Sequence, residues 1–254
     1  MMQKSKLFFI LLLPLFFSCT SVTLQTKVDP PLRSYVKVHH KIQITECTKP
    51  YKKSCPIGEY ASMGSGMIID LIKNETIVLT AGHVCESEVD HSKISSHEQS
   101  VSIIDHRGFE HDAHVIVATS DNSTGSIDGC ALWVPTLKEK GIKFSLFAPR
   151  IGQELYYIGS PAGIYHPPVA PILSGIYSGQ IDPSNSLVSI PATGGSSGSA
   201  VMDLNNRIVG ILWAAHNFHH VSIMTEWHAT SLFLYNVVKM FDKRSSVIHP
   251  LLKD

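Results

Sequence analysis

The 254-residue chain lacks an excess of charge of either sign, because 21 lysine and arginine residues balance 21 aspartate and glutamate residues. Nucleic-acid-binding domains carry a basic excess or a basic patch, so this balance argues against nucleic acid as a partner. Only 17% of the residues are charged, whereas 44% are hydrophobic. Such a composition supports a substantial buried core and excludes a disordered chain.

Beyond its N-terminus the chain also lacks an apolar run long enough to span a bilayer. At the N-terminus, a basic segment precedes an apolar run over residues 7–17, which is typical of a signal peptide. Ser18 and Cys19 follow, and a small residue before cysteine at this point resembles a bacterial lipoprotein cleavage site. We predict a signal peptide over residues 1–19 with Cys19 lipidated; cleavage after Ser21 and an uncleaved anchor are the alternatives. Each of these places the protein outside the cytoplasm, with membrane contact limited to the anchor.

The most informative segment is residues 193–200, which read TGGSSGSA. Its glycines favour a tight turn that exposes one hydroxyl group and places backbone N–H groups beside it. Acyl transfer requires this combination of a nucleophile and an oxyanion hole. A flexible Gly/Ser loop is the alternative interpretation of the segment by itself.

Two upstream segments supply partners for a serine nucleophile. His83 follows the apolar run 76–79, and packing at the end of a buried strand can fix a histidine as a general base. Asp128 opens a second apolar run, where a buried carboxylate needs a partner such as a histidine N–H. With Ser197 as the nucleophile, the chain order is His, Asp, Ser, at spacings of 45 and 69 residues. This is the order of the chymotrypsin triad.

With these segments the chain resembles the trypsin/chymotrypsin-like serine peptidases, and it is similar to the bacterial branch of the glutamyl endopeptidases and the Htr heat-shock proteases. Four further motifs carry the resemblance, namely MGSGMIID at 63–70, YYIGSPAG at 156–163, SGIYSG at 174–179 and RIVGIL at 207–212. The resemblance implies an all-β fold of two six-stranded antiparallel β-barrels, with the catalytic cleft between them.

The periodicity of the chain fits that fold. Residues 20–34 are polar, contain two prolines and indicate a linker. Many short β-rich runs follow, which favours an all-β barrel or sandwich. Residues 230–241 have helical spacing, with Thr230 or Ser231 as the cap of a C-terminal helix. We expect an N-terminal barrel over residues 35–140 and a C-terminal barrel plus helix over 141–254, without the peptide-binding domain that Htr proteases carry after the helix.

The resemblance also implies a role for each triad residue. Ser197 is the nucleophile, His83 transfers its proton to the leaving amine, and Asp128 orients His83. The backbone N–H groups of Gly195 and Ser197 form the oxyanion hole. Three other aspartates compete for the role of the acid, but each lies in a polar segment and is expected to be solvated: Asp105, Asp112 and Asp121.

By the same resemblance, the substrate-binding pocket has two walls, one formed by Pro191, Ala192, Thr193 and Gly194 and the other by Trp213, Ala214 and Ala215. Neither wall carries a carboxylate, which argues against a trypsin-like preference for arginine or lysine. Leu212 stands where glutamyl-specific enzymes tend to have a histidine, so we expect a small or medium apolar residue at P1. Ser196 replaces the aspartate that pairs with a new N-terminus in the vertebrate enzymes, so activation by N-terminal insertion is not expected.

The chain has no CxxC pair, so we expect no zinc site, and no other metal or cofactor is implied. An even number of cysteines after Cys19 in an exported chain favours disulfides, with three possible pairings. Cys47 and Cys55 flank a short loop, whereas Cys85 and Cys130 each come two residues after a triad candidate. We predict the pairs Cys47–Cys55 and Cys85–Cys130, with buried free thiols as the alternative.

Six of the 14 histidines form two further groups. We interpret both groups as solvated loop and hairpin residues, with metal binding or pH sensing as the alternative: His216, His219 and His220, and His106, His111 and His114.

The function predicted from the whole sequence is an exported serine endopeptidase that cleaves polypeptides through an acyl-enzyme. The alternative is a catalytically idle trypsin-like fold that binds peptides or a protein, and an esterase would use the same residues.

Overall fold

The computed structural model describes residues 28–49, 56–86, 90, 92–120, 127–216 and 220–248. They form two closed antiparallel barrels of six strands each, followed by one C-terminal helix. The expected all-β fold of two six-stranded barrels is confirmed. Residues 1–27, with the predicted signal peptide and Cys19, lie outside the described residues.

The first barrel is built so that the ends of two central strands meet. It contains β1 (Tyr35–Cys47), β2 (Gly58–Ile69), β3 (Ile77–Thr80), β4 (Ile94–Ile104), β5 (Glu110–Thr119) and β6 (Gly129–Trp133), paired in the order β1-β2-β3-β6-β5-β4. The short helix α1 (Gly82–Cys85) follows β3. Because Thr80 pairs with Cys130, the segment after β3 lies beside the segment that precedes β6.

The second barrel carries the glycine-rich loop between two of its strands. It contains β7 (Glu154–Ile158), β8 (Ile172–Gln180), β9 (Asn185–Val188), β10 (Ala200–Asp203), β11 (Ile208–Ala215) and β12 (Ser222–Thr225), paired in the order β10-β11-β12-β9-β8-β7. Helix α2 (Trp227–Ile248) follows β12. Residues 189–199 connect β9 to β10, and this loop contains Ser197.

The segment between the barrels is hydrogen-bonded to both. On the side of the first barrel, the Asp70 N–H donates to the Ile142 carbonyl at 2.8 Å. On the side of the second, the Ser145 N–H donates to the Ile208 carbonyl at 2.8 Å. One apolar cluster contains buried residues of both barrels and of α2, so burial of apolar surface holds the three parts together.

Two element boundaries depend on contacts that periodicity does not show. Strand β2 begins at Gly58, ahead of the MGSGMIID motif, because its exposed first half pairs with β1, and backbone pairing needs no apolar side chain. Helix α2 begins at Trp227, one turn before Thr230. The Glu226 carboxylate accepts hydrogen bonds from the His228 and Ala229 N–H groups at 2.6 and 3.1 Å and so caps the helix earlier.

The end of the expected linker is folded onto the barrels. Val28 and Leu32 pack against the apolar cluster, and the Ser34 hydroxyl donates to the Lys140 carbonyl at 2.8 Å. The Asn206 amide also donates to the Asp29 carbonyl at 2.8 Å. Residues 28–34 therefore make both apolar and polar contacts with the folded barrels. In the part of the chain that the structure describes, no helix is long and apolar enough to cross a membrane.

Candidate active site

His83 and Asp128 form a hydrogen-bonded pair at the adjacent ends of β3 and β6. The His83 Nδ1 atom lies 2.5 Å from Asp128 Oδ2, and the His83 backbone N–H donates to Asp128 Oδ1 at 2.9 Å. The Asp128 side chain is only 4% exposed, whereas that of His83 is 44% exposed. A buried carboxylate that holds Nδ1–H leaves Nε2 as the basic nitrogen, which is the arrangement of a general base.

A disulfide fastens the two segments that carry this pair. Cys85 in α1 is bonded to Cys130 in β6, and both residues are buried. This half of the predicted pairing is present in the structure. Cys47 is also disulfide-bonded, but Cys55, its predicted partner, lies outside the described residues.

The backbone of Ser197 packs against strand β2, beside the residue that follows His83. The Ser65 N–H of β2 donates to the Ser197 carbonyl at 2.7 Å. A Cβ atom on Gly64 would lie 2.8 Å from that carbonyl and 2.7 Å from a Val84 methyl group, so Ser197 and the residue after His83 share one neighbour. The Ser197 hydroxyl donates to the Trp213 carbonyl at 3.3 Å rather than to His83. Catalytic hydrogen bonds commonly tighten only when substrate binds.

Gly198 explains how the loop approaches so closely. Its φ is +88°, and a Cβ atom there would lie 2.0 Å from Thr80 Oγ1 and 2.1 Å from the Ser65 carbonyl. Only glycine has both the backbone freedom and the lack of volume that this position needs. The residue after the candidate nucleophile therefore contacts the end of β3, three residues before His83.

The N–H groups of Gly195 and Ser197 lie in the same loop and are the predicted oxyanion-hole donors. The Ser196 N–H closes a turn on the Thr193 carbonyl at 2.9 Å, with Gly195 at φ +91°. Among the described residues, no group accepts a hydrogen bond from the N–H of Gly195 or of Ser197. Unpaired N–H groups beside a serine can stabilise a negatively charged oxygen, which is the role of an oxyanion hole.

The carbonyl groups of Gly194 and Gly195 accept hydrogen bonds from residues outside this loop. The Gly194 carbonyl accepts a hydrogen bond from the Ala162 N–H at 2.7 Å. The Gly195 carbonyl accepts hydrogen bonds from the hydroxyl groups of Ser65 at 2.8 Å and Ser160 at 3.2 Å. No role for Ser65, Ser160 or Ala162 was expected from the sequence. The GSG and GSPAG motifs that contain them were the available signal.

Ser196 takes part in a neutral, buried network. Its side chain is fully buried, and its hydroxyl lies 3.1 Å from the Tyr157 hydroxyl, which donates to the Pro191 carbonyl at 2.9 Å. Burial raises the pKa of Tyr157 above its usual value, although the hydrogen bond to Ser196 acts to lower it. No charged group takes part in these hydrogen bonds. The network ties the glycine-rich loop to strand β7.

The two expected walls of the substrate pocket lie together in the second barrel. Strand β12 connects the two walls. Its residue Ser222 pairs with Ala215 of the second wall, and the Ser222 hydroxyl donates a hydrogen bond at 2.6 Å to the carbonyl of Ile190, the residue before the first wall. On the first wall, Pro191 is half-buried, Ala192 is buried, and Thr193 and Gly194 are exposed. On the second wall, Trp213 and Ala214 are half-buried and Ala215 is exposed.

A family model of the trypsin-like peptidase domain matches residues 64–211, which is more than half of the chain. The chain belongs to this family. Its fold is similar to that of the active form of the Rv3671c protease from M. tuberculosis, at 16% identity, with a TM-score of 0.61 and coverage of 84% of this chain and 86% of the other. It is also similar to a serine endoprotease from Yersinia pestis, at 16% identity, with a TM-score of 0.59 and coverage of 82% of this chain and 64% of the other. No curated protein sequence matches the chain.

One aspartate of this trypsin-like domain was assigned wrongly from the sequence. Asp105 was expected to be solvated, but its side chain is 1% exposed. Its carboxylate accepts hydrogen bonds from the Arg107 and Phe109 N–H groups and from the Arg107 guanidinium, at 2.8–3.0 Å. The polar sequence around it folds into the β4–β5 turn, whose N–H groups converge on this side chain. Asp112 is exposed, and Asp121 lies outside the described residues.

The histidines of the trypsin-like domain are dispersed. His111 Nε2 lies 3.4 Å from Asp105 Oδ2, and the His114 ring lies 5.6 Å from that of Trp133. His216 and His220 are exposed, and His219 lies outside the described residues. Within the described ranges, no group of three or more histidine, cysteine, aspartate or glutamate side chains could hold a metal ion.

Proposed function

We propose that this chain is a serine endopeptidase that cleaves polypeptides through an acyl-enzyme intermediate. The observation that carries the proposal is the 2.5 Å contact between His83 and the buried Asp128, beside the loop of Ser197. His83 Nε2 removes the Ser197 proton as Oγ attacks the scissile carbonyl. Asp128 stabilises the imidazolium, which then protonates the leaving amine. A water molecule, activated in the same way, releases the acyl group and restores Ser197.

The oxyanion of each tetrahedral intermediate would bind to the N–H groups of Gly195 and Ser197. Both groups are free of protein acceptors among the described residues, and they lie in a loop with defined backbone geometry. Preorganised donors of this kind are worth about 10²- to 10³-fold in kcat per donor. Position 195 requires glycine because its φ is +91° and a Cβ atom there would lie 2.3 Å from the Ser160 carbonyl.

We further propose a small or medium apolar residue at P1. The pocket walls carry no charged side chain. The Ser222 hydroxyl, at the junction of the walls, already donates its hydrogen bond to the Ile190 carbonyl and so has no proton to donate to a substrate side chain. Within the family, we propose that the chain is related to the branch of the glutamyl endopeptidases and Htr proteases. We also propose that residues 35–140 and 141–254 are the two domains of this chain. Export through the N-terminal segment is part of the proposal, and it agrees with the Cys85–Cys130 disulfide, since such bonds persist in oxidising compartments.

Reaction with a fluorophosphonate probe tests the nucleophile. We expect the parent chain and a Ser199→Ala control to be labelled, and Ser197→Ala to remain unlabelled. Ser199 is a suitable control because it is buried in the same loop and its hydroxyl has no partner among the described residues. Labelling of Ser197→Ala would refute the assignment of the nucleophile. A folded parent that is not labelled would favour a peptide-binding role instead. If the parent is active, cleavage of a peptide library defines its preferred P1 residue.

A further inference from the structure

The orientation of the Gly194–Gly195 peptide is set by the turn at residues 160–163. In a planar trans peptide, the carbonyl oxygen and the N–H group point in opposite directions. The Gly194 carbonyl is directed to the Ala162 N–H, in the turn formed by residues 160–163. The Gly195 N–H is therefore directed away from that turn, where it is free to bind an oxyanion.

Ala162 adopts an uncommon conformation to make this contact. Its φ is +53°, in the left-handed region that residues with a Cβ atom rarely occupy. The turn and the loop also touch directly, because a Cβ atom on Gly195 would lie 2.3 Å from the Ser160 carbonyl. Such uncommon backbone conformations persist where the surrounding contacts impose them, and they cluster at functional sites.

The carbonyl of Gly195 is held by two hydroxyl groups that water does not reach. Ser65 and Ser160 are both fully buried, and each donates to the Gly195 carbonyl, so both lone pairs of this oxygen are used. The Ser65 oxygen in turn accepts a hydrogen bond from the Ser160 N–H at 2.9 Å and lies 3.4 Å from the Tyr35 hydroxyl. Burial raises the pKa of Tyr35, so this tyrosine remains neutral.

We propose that Ser65 and Ser160 are positioning residues of the oxyanion hole. Their hydroxyl groups hold the Gly195 carbonyl and, with the Ala162 N–H on the Gly194 carbonyl, keep the Gly195 N–H available to the developing oxyanion. The inference rests on the proposed function, since it deepens the account of that same site. It connects three segments that are distant in sequence, because Ser65 is 130 residues and Ser160 is 35 residues from Gly195.

The energetic consequence follows from the number of donors. After removal of one hydroxyl group, the Gly195 carbonyl keeps one donor, and the loop can sample other orientations of its peptides. Complete loss of one oxyanion donor lowers kcat by about 10²- to 10³-fold, which is the upper limit for any positioning effect. Substrate binding in the pocket does not use these hydroxyl groups, so KM should change little.

The test compares Ser65→Ala, Ser160→Ala and the double variant with the parent and with Ser199→Ala. We measure kcat and KM on a peptide substrate, at a temperature well below the unfolding midpoint of each variant. We also measure the affinity for a peptide aldehyde, whose hemiacetal oxygen occupies the oxyanion hole. We expect kcat to fall about 10-fold in each single variant and about 100-fold in the double variant, with aldehyde affinity falling in parallel. KM should stay within about 2-fold. Unchanged kcat in the double variant, or an equal loss in Ser199→Ala, would overturn the inference.

A second measurement does not depend on activity. The Ala162 amide proton is donated to the Gly194 carbonyl, so its hydrogen exchange, followed by NMR, reports the orientation of that peptide. We expect exchange at Ala162 to be about 10-fold faster in the double variant than in Ser199→Ala. Equal exchange rates would reject the positioning role. A folded parent without activity would reject the proposed peptidase function, while this measurement would still decide whether the serines hold the loop.

Discussion

Cys85 is bonded to Cys130, and each of these cysteines lies two residues after one member of the His83–Asp128 pair. The disulfide thus ties the helix that carries the candidate base to the strand that follows the candidate acid. Cross-strand pairing of Thr80 with Cys130 already brings these segments together. The covalent bond adds a constraint that survives local opening of the barrel.

Replacement of both cysteines in Cys85→Ala/Cys130→Ala should lower the free energy of unfolding by about 4 kcal/mol, because the disulfide closes a loop of 45 residues. Urea unfolding of the parent and the variant measures this difference. Peptide hydrolysis far below the midpoint should also slow, through kcat, as His83 loses a restraint. A free energy of unfolding equal to that of the parent would contradict the expected constraint.

Gly198→Ala should be far more harmful than Gly152→Ala. Both glycines have nearly equal positive φ, +88° and +85°, so both variants carry the cost of a left-handed residue, about 1–2 kcal/mol. A Cβ atom at 152 meets nothing within 4 Å, whereas one at 198 would lie 2.1 Å from the backbone of Ser65. Thermal unfolding of the two variants separates two costs. Gly152→Ala reports the backbone strain alone, and the additional loss in Gly198→Ala reports the steric overlap of its Cβ atom with Ser65. Equal destabilisation would show that the loop moves away without cost.

Asp105→Asn should lose less stability in acid than at neutral pH. Burial acts to raise the pKa of Asp105, but the N–H groups of Phe109 and Arg107 and the Arg107 guanidinium outweigh it and lower the pKa below 3.8. A lowered folded-state pKa stabilises the protein above the unfolded value, and this stability is lost as pH falls through the folded value. We expect a deficit of about 2 kcal/mol at pH 7 that shrinks below about pH 4.

Urea unfolding at pH 7 and at pH 3 measures that change for Asp105→Asn. Asp112→Asn is the matched control, because Asp112 lies on β5 of the same hairpin but is exposed. It should differ from the parent by less than about 0.5 kcal/mol at pH 7. A deficit of Asp105→Asn that is constant with pH would show that its ionised form is not the stabilising one.

Ser196→Asp should be more destabilising than Ser196→Ala. Removal of the hydroxyl group breaks the contact with Tyr157 and should cost about 1 kcal/mol. A carboxylate at this fully buried position has no cation in the network, so Ser196→Asp should cost at least about 3 kcal/mol at pH 7. Burial raises the pKa of such a carboxyl group, so the loss should diminish as pH falls. Equal stability of the two variants at pH 7 would indicate a positively charged partner, such as an inserted N-terminus.

Much of the fold could be predicted from the sequence because strand and helix periodicity is local. The apolar run before His83 became β3, and the helical spacing after residue 230 became most of α2. The exposed half of β2 does not show in that periodicity, because its partner in β1, not its own composition, makes it a strand. Asp105 was assigned wrongly for a related reason, since a turn that converges on a carboxylate is invisible in a polar sequence.

The sequence alone determined which residues are available for the proposed acyl transfer. The residue types at positions 83, 128 and 197, their order and the glycines around the serine follow from the chain itself, as does the lack of charge in the pocket walls. Only the tertiary structure decided which aspartate meets His83 and which groups hold the Gly195 carbonyl. These contacts join residues 35 to 130 positions apart, and barrel closure, not local propensity, sets their distances.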